Sequence, residues 1–331
     1  MIISRAPVRI TLGGGGTDLK SYYAHWGGFL IAAAIDRYVF ISANKRFYPS
    51  TRLSYSETEI VDDVSKIKHR IFREALKALQ IEGGIELVSI ADVPSNCGLG
   101  TSSSFTVSLL NALHAYKREF VTQRQLAEEA CHIEIEVLGE PIGKQDQYLT
   151  AFGGITCLTF EKNGDVQVEP LHVSEDTIDQ LESNLLLFYT GIERSASAIL
   201  RDQNVKSQQD DPAMIDNLTR IKQIALDTKK VLEKGDLDEF GRLLDVHWQT
   251  KKKRSRNITD TFLDECYATA LKHGAIGGKI MGAGGGGFFM FYCRNSDHPA
   301  LSQAMKKMGL SPMKFHFDFE GAKILVNMKR F

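Results

Sequence analysis

Four consecutive hydroxyl residues, Thr101, Ser102, Ser103 and Ser104, close a glycine-rich segment, PSNCGLGTSSS (94–104). The segment follows strand-like IELVSIADV and precedes Phe105, Leu109, Leu113 and Tyr116. That spacing predicts a helix from about Ser103 to Tyr116. Glycine lacks a Cβ and so lets backbone N–H groups approach an anion closely. A helix N-terminus adds unpaired N–H groups and a partial positive charge. One helix cap needs one hydroxyl, and four exceed that need. The segment therefore reads as a phosphate cradle formed by Pro94, Gly98, Leu99, Gly100 and the four hydroxyl residues. It is not a Walker A loop, because no GK[ST] follows its glycines, and GLGTSS lacks the third glycine of a dinucleotide fingerprint. A formal GxGxxG at Gly282, Gly284 and Gly287 leads into an apolar strand rather than opening a helix, so it reads as accidental.

Charged residues at apolar positions are the second signal. The pattern of 123–138 predicts a helix with an apolar arc of Leu126, Ala127, Ala130, Cys131, Ile133, Val137 and Leu138. Glu134 falls within that arc, where a carboxylate is costly unless a cation or a donor meets it. A structural salt bridge is the plainer alternative. On a helix beginning at Leu237, the stripe Phe240, Leu244, His247 and Trp248 continues through Lys251. The run KKKRSR (251–256) otherwise reads as a solvated helix end, favoured by the dipole. Lys251 alone faces inward, where it could meet a phosphate in a cleft. Arg194 follows strand-like LLLFYTG, and its planar fork suits phosphate oxygens.

Positioning these groups falls to a mixed set of elements. Residues 2–12 and 29–45 read as strands, 66–80 as an amphipathic helix and 85–93 as a strand. After Gly153 and Gly154, ITCLTF and VQVEPLHV predict a hairpin around Asn163 and Gly164. Helical patterns fill 196–270 apart from polar QQDDP. A glycine-rich turn, the strand FFMFYC, a helix near 299–308 and the strand MKFHFDF close the chain. Helices and strands mix without a steady βαβ rhythm, which indicates the α+β class. At roughly 150 residues per domain, 331 residues suggest two domains, divided here as 1–175 and 176–331.

Composition narrows the function classes. With 43% hydrophobic and 24% charged residues the chain is neither disordered, collagen-like nor disulfide-stapled. A net charge of −1 gives no general attraction to nucleic acid or anionic membrane. The longest apolar run, 29–35, is too short to span a bilayer, and MIISRAPVRI lacks a signal-peptide pattern. Five scattered cysteines form no CxxC, which argues against disulfides and zinc and for a reducing cytoplasm.

Three segments in order resemble the GHMP kinases, the family of galacto-, homoserine, mevalonate and phosphomevalonate kinases. APVRITLGGGGTDL (6–19) resembles the first family motif and PSNCGLGTSSS the phosphate loop. KIMGAGGGGFF (279–289), with Gly282, Gly284 and Gly285, resembles the third, and the likeness runs from residue 4 to about residue 290. It implies ATP as donor with Mg²⁺, a ribosomal-protein-S5-like N-terminal domain with a left-handed crossover, and a ferredoxin-like C-terminal domain. GEPIGKQDQ (139–147) matches a galactokinase-like pattern that makes Asp146 the catalytic base; otherwise it would read as a helix cap. Arg9 aligns with the cation beside that base, and such a cation holds an aspartate ionised. Glu134, twelve residues earlier, aligns with a magnesium ligand, and Ser102 with its co-ligand.

The resemblance also bears on the acceptor. Gly14, Gly15, Gly16, Thr17 and Asp18 match the sugar-binding stretch, in which Asp18 would accept sugar hydroxyls. Galactokinases carry a Glu and a His where this chain has Gly15 and Gly16, which turns the expectation away from galactose. The GGGGTD form, YTGIERSASAIL (189–200) and HWQTKKK (247–253) resemble the branch of D-glycero-D-manno-heptose 7-phosphate kinases, which phosphorylate the anomeric oxygen. The implied partner is a small sugar or sugar phosphate, its phosphate met by Arg194 and Lys251. A kinase of a neutral sugar such as fucose and a non-catalytic sugar and ATP sensor are the rivals. Joint retention of Arg9, Ser102, Glu134 and Asp146 argues against the sensor. Nothing in the sequence sets an oligomeric state.

Overall fold

The computed structural model describes residues 1–193 and 197–328. Its first part runs through β1 (Ile2–Gly13), α1 (Lys20–Trp26), β2 (Gly28–Lys45), β3 (Thr51–Ser54), β4 (Thr58–Val61) and α2 (Arg70–Ala78). It continues with β5 (Ile85–Ala91), α3 (Thr101–Lys117), α4 (Gln123–Cys131), α5 (Gln145–Phe152), β6 (Ile155–Phe160) and β7 (Val166–Pro170). The second part holds α6 (Glu175–Asn184), β8 (Leu185–Tyr189), α7 (Ser197–Gln208), α8 (Pro212–Glu233), α9 (Leu237–Lys252) and α10 (Thr261–Lys272). Then follow β9 (Ala275–Ile280), β10 (Phe288–Cys293), α11 (His298–Lys307), β11 (Ser311–Met313) and β12 (Lys323–Asn327).

β2 organises the first sheet because it is long enough to serve two neighbours on one edge. Its first half pairs with β6 and its second half with β5, while β1 pairs along the other edge. The sheet order is β12-β1-β2-β5-β3-β4, with β6 added beside β2 and β7 beside β6. The apolar run at 29–35 has its reason here, since both faces of β2 are covered. Leu30 and Ala32 pack with Val107, Leu110 and Leu149 of the helical layer. Phe29, Ile31 and Ala33 pack with Leu187, Phe240, Leu244 and Met290 of the second part.

The second sheet is antiparallel in the order β11-β8-β10-β9. Numbered along the chain, that is 4-1-3-2, the arrangement of a ferredoxin-like layer, with the helices from α7 to α10 filling the first crossover. Its outer face packs Phe188, Phe289 and Phe291 against Trp248, Leu263, Tyr267 and Leu301.

Several local features depart from the expected elements. The helix expected over 123–138 is α-helical only to Cys131; His132–Val137 is a π-helical turn, in which the Leu138 N–H donates to the Ile133 carbonyl. The segment MKFHFDF is not one strand. Met313 ends β11, and Phe317 forms a single bridge to Ile35. Side chains satisfy the backbone in between, Asp36 accepting from His316 N–H and Glu182 from Phe317 N–H. β12, which the sequence pattern did not reveal, pairs with β1 in the first sheet. A single cut near residue 175 therefore does not separate the two sheets. No helix among the described residues is long and apolar enough to cross a membrane.

Candidate active site

Gly100 occupies the N-cap of α3 in the left-handed region, at φ 78°, with no side-chain cap hydrogen bond. The four hydroxyls are thus not caps, and the first-turn N–H groups of α3 are left for another acceptor. Two of the hydroxyls converge on one carboxylate. Ser102 Oγ donates to Glu134 Oε1 at 3.0 Å, and Ser103 Oγ donates to Oε2 at 2.8 Å. Ser104 turns the other way, donating to the Pro7 carbonyl at 2.7 Å from a fully buried position. Leu99 is likewise a core residue, and Pro94 stands outside the cavity. Of the expected cradle, Gly98, Gly100, Thr101, Ser102 and Ser103 line the cavity, and the side chains of these other three do not.

Arg9 on β1 stitches this loop to the base. Its Nε and Nη2 donate to the two carboxylate oxygens of Asp146 at 2.6 and 2.8 Å, and Nη1 donates to the Gly98 carbonyl at 2.6 Å. Its backbone N–H also donates to Leu99 O. Asp146 lies in the first turn of α5, where the helix dipole favours its charge. A Cβ on Gly100 would stand 3.0 Å from Asp146 Oδ2, so glycine there keeps the carboxylate open to the loop.

Asp18 lies across the cavity and is buried. It accepts the N–H groups of Gly16 and Gln145, at 3.0 and 3.3 Å. Burial first, and then the Asp146 charge, push its carboxyl above the ordinary range. Thr17 has a different role from the one expected. Its hydroxyl is buried and donates to the Gly14 and Phe29 carbonyls, so it shapes the turn rather than facing the cavity. Gly14 supports the same turn from outside the cavity lining, whereas Gly15 and Gly16 line it.

Glu134 sits on the π-helical turn and is 1% exposed. Gln147 Nε2 supplies its third donor at 2.7 Å. All three are neutral, so among the described residues Glu134 forms no salt bridge. Burial pushes its carboxyl upward, the three hydrogen bonds oppose that, and Asp146 adds to the rise.

The second part closes the cavity, of about 470 Å³, with basic groups. Lys251 is buried in the last turn of α9 as expected, but its Nζ donates to the Ile280 and Gly282 carbonyls at 3.0 and 2.5 Å. It therefore clamps the third glycine segment as well as lining the cavity. Lys279 on β9 is 2% exposed and donates to the Leu12 carbonyl at 3.3 Å. Arg254 is 7% exposed, correcting the view of the basic run as a solvated end that only Lys251 leaves. His247 is buried one turn before Lys251. The sequence reading missed both Lys279, which a charge inside the apolar strand AIGGKI could have marked, and Arg254, which in an irregular turn after α9 had no periodic signal. Gly282 lines the cavity, and Gly284 and Gly285 lie behind it, the Gly285 N–H donating to Ile258 O. Arg194 lies outside the described residues.

Comparison with known proteins fits this geometry. Residues 65–154 match the model of the GHMP kinases N terminal domain, and residues 228–309 that of the GHMP kinases C terminal. The chain is 31% identical to the D-glycero-alpha-D-manno-heptose 7-phosphate kinase of Campylobacter jejuni, across 97% of this chain and 98% of that one. It is 27% identical to the L-fucokinase/L-fucose-1-P guanylyltransferase of Bacteroides fragilis, across 89% of this chain and 35% of the larger relative. The structure of a D-glycero-D-manno-heptose 1-phosphate kinase from Bacteroides thetaiotaomicron superposes with a TM-score of 0.82 at 27% identity, covering 98% and 99% of the two chains. Lactococcus lactis galactokinase, complexed with galactose, shares the fold at a TM-score of 0.76 and 19% identity, covering 97% and 94%. A phosphate loop joined through Arg9 to a carboxylate on α5, in a chain matched end to end by such relatives, places this protein in the GHMP kinase family, as an ATP-dependent sugar kinase of the heptose branch.

Proposed function

We propose that the chain transfers the terminal phosphoryl group of Mg·ATP to the anomeric hydroxyl of D-glycero-D-manno-heptose 7-phosphate. The products are the 1,7-bisphosphate and ADP. The observation that carries this reading is the two-pronged Arg9–Asp146 pair set between the phosphate loop and Asp18. Phosphoryl transfer through a loose transition state asks the protein for positioning and charge stabilisation more than for covalent chemistry. Asp146 accepts the proton of the attacking hydroxyl, while Arg9 fixes both its oxygens. The α3 N-terminus and the loop N–H groups receive the triphosphate. Asp18, already oriented by two backbone N–H groups, accepts acceptor hydroxyls.

Glu134 fits a magnesium ligand. It is a buried carboxylate whose partners are neutral, and a cation is the group that such burial lacks. Ser102 shares the site, and phosphate oxygens and water complete it in the manner usual for this ion. Bound there, Mg²⁺ neutralises the charge of the phosphate oxygens. The five unpaired cysteines suit a reducing cytoplasm.

The test is ADP release with a panel of free sugars and sugar phosphates, followed by phosphorus NMR of the product. An anomeric phosphate on heptose 7-phosphate is the expected result. Faster turnover of a neutral sugar such as fucose would replace this reading with that of a neutral-sugar kinase.

A further inference from the structure

Gly16 and Arg254 share one space. A Cβ on Gly16 would stand 2.5 Å from Arg254 Nη1, and Gly16 has φ 99°. The guanidinium is present only because the turn ahead of Asp18 carries no side chain at this point. It is aimed by neutral groups on three elements. Nη1 donates to Gln203 Oε1 of α7 at 3.0 Å, and Nε donates to Asn217 Oδ1 of α8 at 3.2 Å. The Gly15 carbonyl accepts from Nη1 and Nη2 at the long distances of 3.5 and 3.4 Å.

Behind Arg254 lies a row of further basic groups. His247 is 2% exposed, and neither ring nitrogen has a hydrogen-bond partner among the described residues. Buried polar atoms are rarely left unpaired, and one that lines a cavity is free to meet a group bound there. Lys279 makes one long bond to a carbonyl, and the described hydrogen-bond partners of Lys251 and Arg254 are also neutral oxygens. Three buried basic groups at one wall, hydrogen-bonded among the described residues to neutral oxygens and with only the Asp18 carboxylate acting on Arg254 as a counter-charge, form a site suited to an anion. Arg9 already belongs to Asp146, and the triphosphate already has the α3 N-terminus.

We propose that Arg254, with His247 and Lys279, forms a second anion subsite that recognises the phosphomonoester already present on the acceptor, and that Gly16 is the residue that admits it. The proposal rests on the sugar-phosphate reading above and sharpens it, adding the turn next to Asp18 to the phosphate recognition expected of Arg194 and Lys251. Burial, then repulsion from Arg9 and Arg254, pushes the Lys279 ammonium down to about 7, and burial pushes the Arg254 guanidinium to about 10 against the opposing pull of the Asp18 carboxylate. A dianion placed among them reverses both effects.

The experiment compares Arg254→Gln, Arg254→Lys and Gly16→Ala with the unaltered enzyme. Acceptors are heptose 7-phosphate and the same heptose without its phosphate. One charge-assisted contact corresponds to roughly a tenfold to hundredfold change in kcat/KM. The expected loss in Arg254→Gln is of that size for the phosphorylated acceptor and at least about tenfold smaller for the other, while Gly16→Ala, which also disturbs the N–H that orients Asp18, lowers both and the phosphorylated acceptor more. Arg254→Lys, keeping charge without the fork, falls between. Equal losses on both acceptors, or a matching rise in KM for ATP, would overturn the subsite. A second measurement stands apart from turnover. With a non-hydrolysable ATP analogue bound, inorganic phosphate should raise Tm of the unaltered enzyme and not that of Arg254→Gln. If heptose 7-phosphate is not a substrate but this difference appears, the subsite stands and the acceptor assignment falls. If phosphate raises neither Tm, or both alike, the subsite falls whatever the acceptor.

Discussion

Gly98 and Gly282 stand back to back, where the phosphate loop meets the third glycine segment. A Cβ on Gly98 would come within 2.7 Å of the Met281 carbonyl, and one on Gly282 within 2.7 Å of the Gly98 Cα. Both residues have positive φ, 85° and 66°. The third segment thus acts as a backing plate for the loop, not as a second cradle. Phe288 N–H and the Cys97 carbonyl, 3.2 Å apart, add a hydrogen bond across the same junction.

Gly282→Ala should therefore act on ATP from behind the loop. The left-handed conformation costs an alanine roughly 1–2 kcal/mol, and displacing Gly98 adds to it. Thermal unfolding should show the lower stability. Steady-state kinetics should show KM for ATP raised about tenfold or more, the equivalent of 1.4 kcal/mol, with a smaller change for the sugar. An unchanged ATP KM would leave the packing of the two turns without functional weight.

Asp146→Asn keeps the shape and removes the base. General-base loss typically costs roughly two to four orders of magnitude in kcat. ATP binding, measured by calorimetry with a non-hydrolysable analogue, should change little, because the phosphate loop keeps its anchor on Arg9 through Gly98 and Leu99. A variant with near-normal kcat would remove Asp146 from proton transfer.

Glu134→Gln separates metal binding from folding. Burial raises the Glu134 carboxyl, so the folded state holds its proton more tightly than the unfolded chain does. Stability then declines as pH rises from the ordinary glutamate range through the raised value, and the charged form is strained at neutral pH. Without Mg²⁺ the glutamine variant should melt higher than the unaltered protein at pH 7.5. Its activity should respond far less to Mg²⁺. A variant that melts lower and keeps its Mg²⁺ optimum would make Glu134 a structural carboxylate.

Lys279 gives the opposite pH signature. Its folded value of about 7 is set by burial first, then by Arg9 and Arg254, and lies below the ordinary lysine value of about 10.4. Between those limits the unfolded chain holds a proton that the folded protein lacks, so stability rises with pH across that window. Below pH 7 the cost of the buried charge stands in full. Urea titrations at pH 6.5, 8 and 9.5 should show the unaltered protein gaining on Lys279→Met as pH increases. Parallel profiles would mean that Lys279 titrates like an exposed lysine.

The legibility of this site in the sequence followed chemistry more than geometry. Glu134 and Lys251 stand out because a charge inside an apolar stripe breaks a period that residues nearby keep; Lys279 carries the same signal in a short strand and was overlooked. Asp146 and Arg9 lie in no such pattern; only the family resemblance marked them. Ser104 and Thr17 misled because a hydroxyl beside a loop looks the same in sequence whether it faces a ligand or a backbone carbonyl. Arg254 was hidden for a related reason. Its position depends on Gly16, more than two hundred residues away, and on α7 and α8, whose polar residues Gln203 and Asn217 show no alternation or stripe. β12 was missed because it is a short edge strand whose alternating exposure carries little apolar signal.

The return of β12 to β1 has a mechanical consequence. Two covalent connections, not one, join the halves around the cavity: the stretch between β7 and α6, and the stretch between β11 and β12. A single tether would permit the halves to swing and twist freely. Two spaced tethers, beside the core that β2 shares with β8, β10 and α9, resist both. The Ile35–Phe317 bridge and the Glu182 contacts to His316 and Phe317 N–H lie along the second connection and fasten it beside the bulged middle of β2. The phosphate loop and the Arg254 wall are thereby held in register across the cavity, and the hydrogen bond from Phe288 N–H to the Cys97 carbonyl ties the two parts together at its edge.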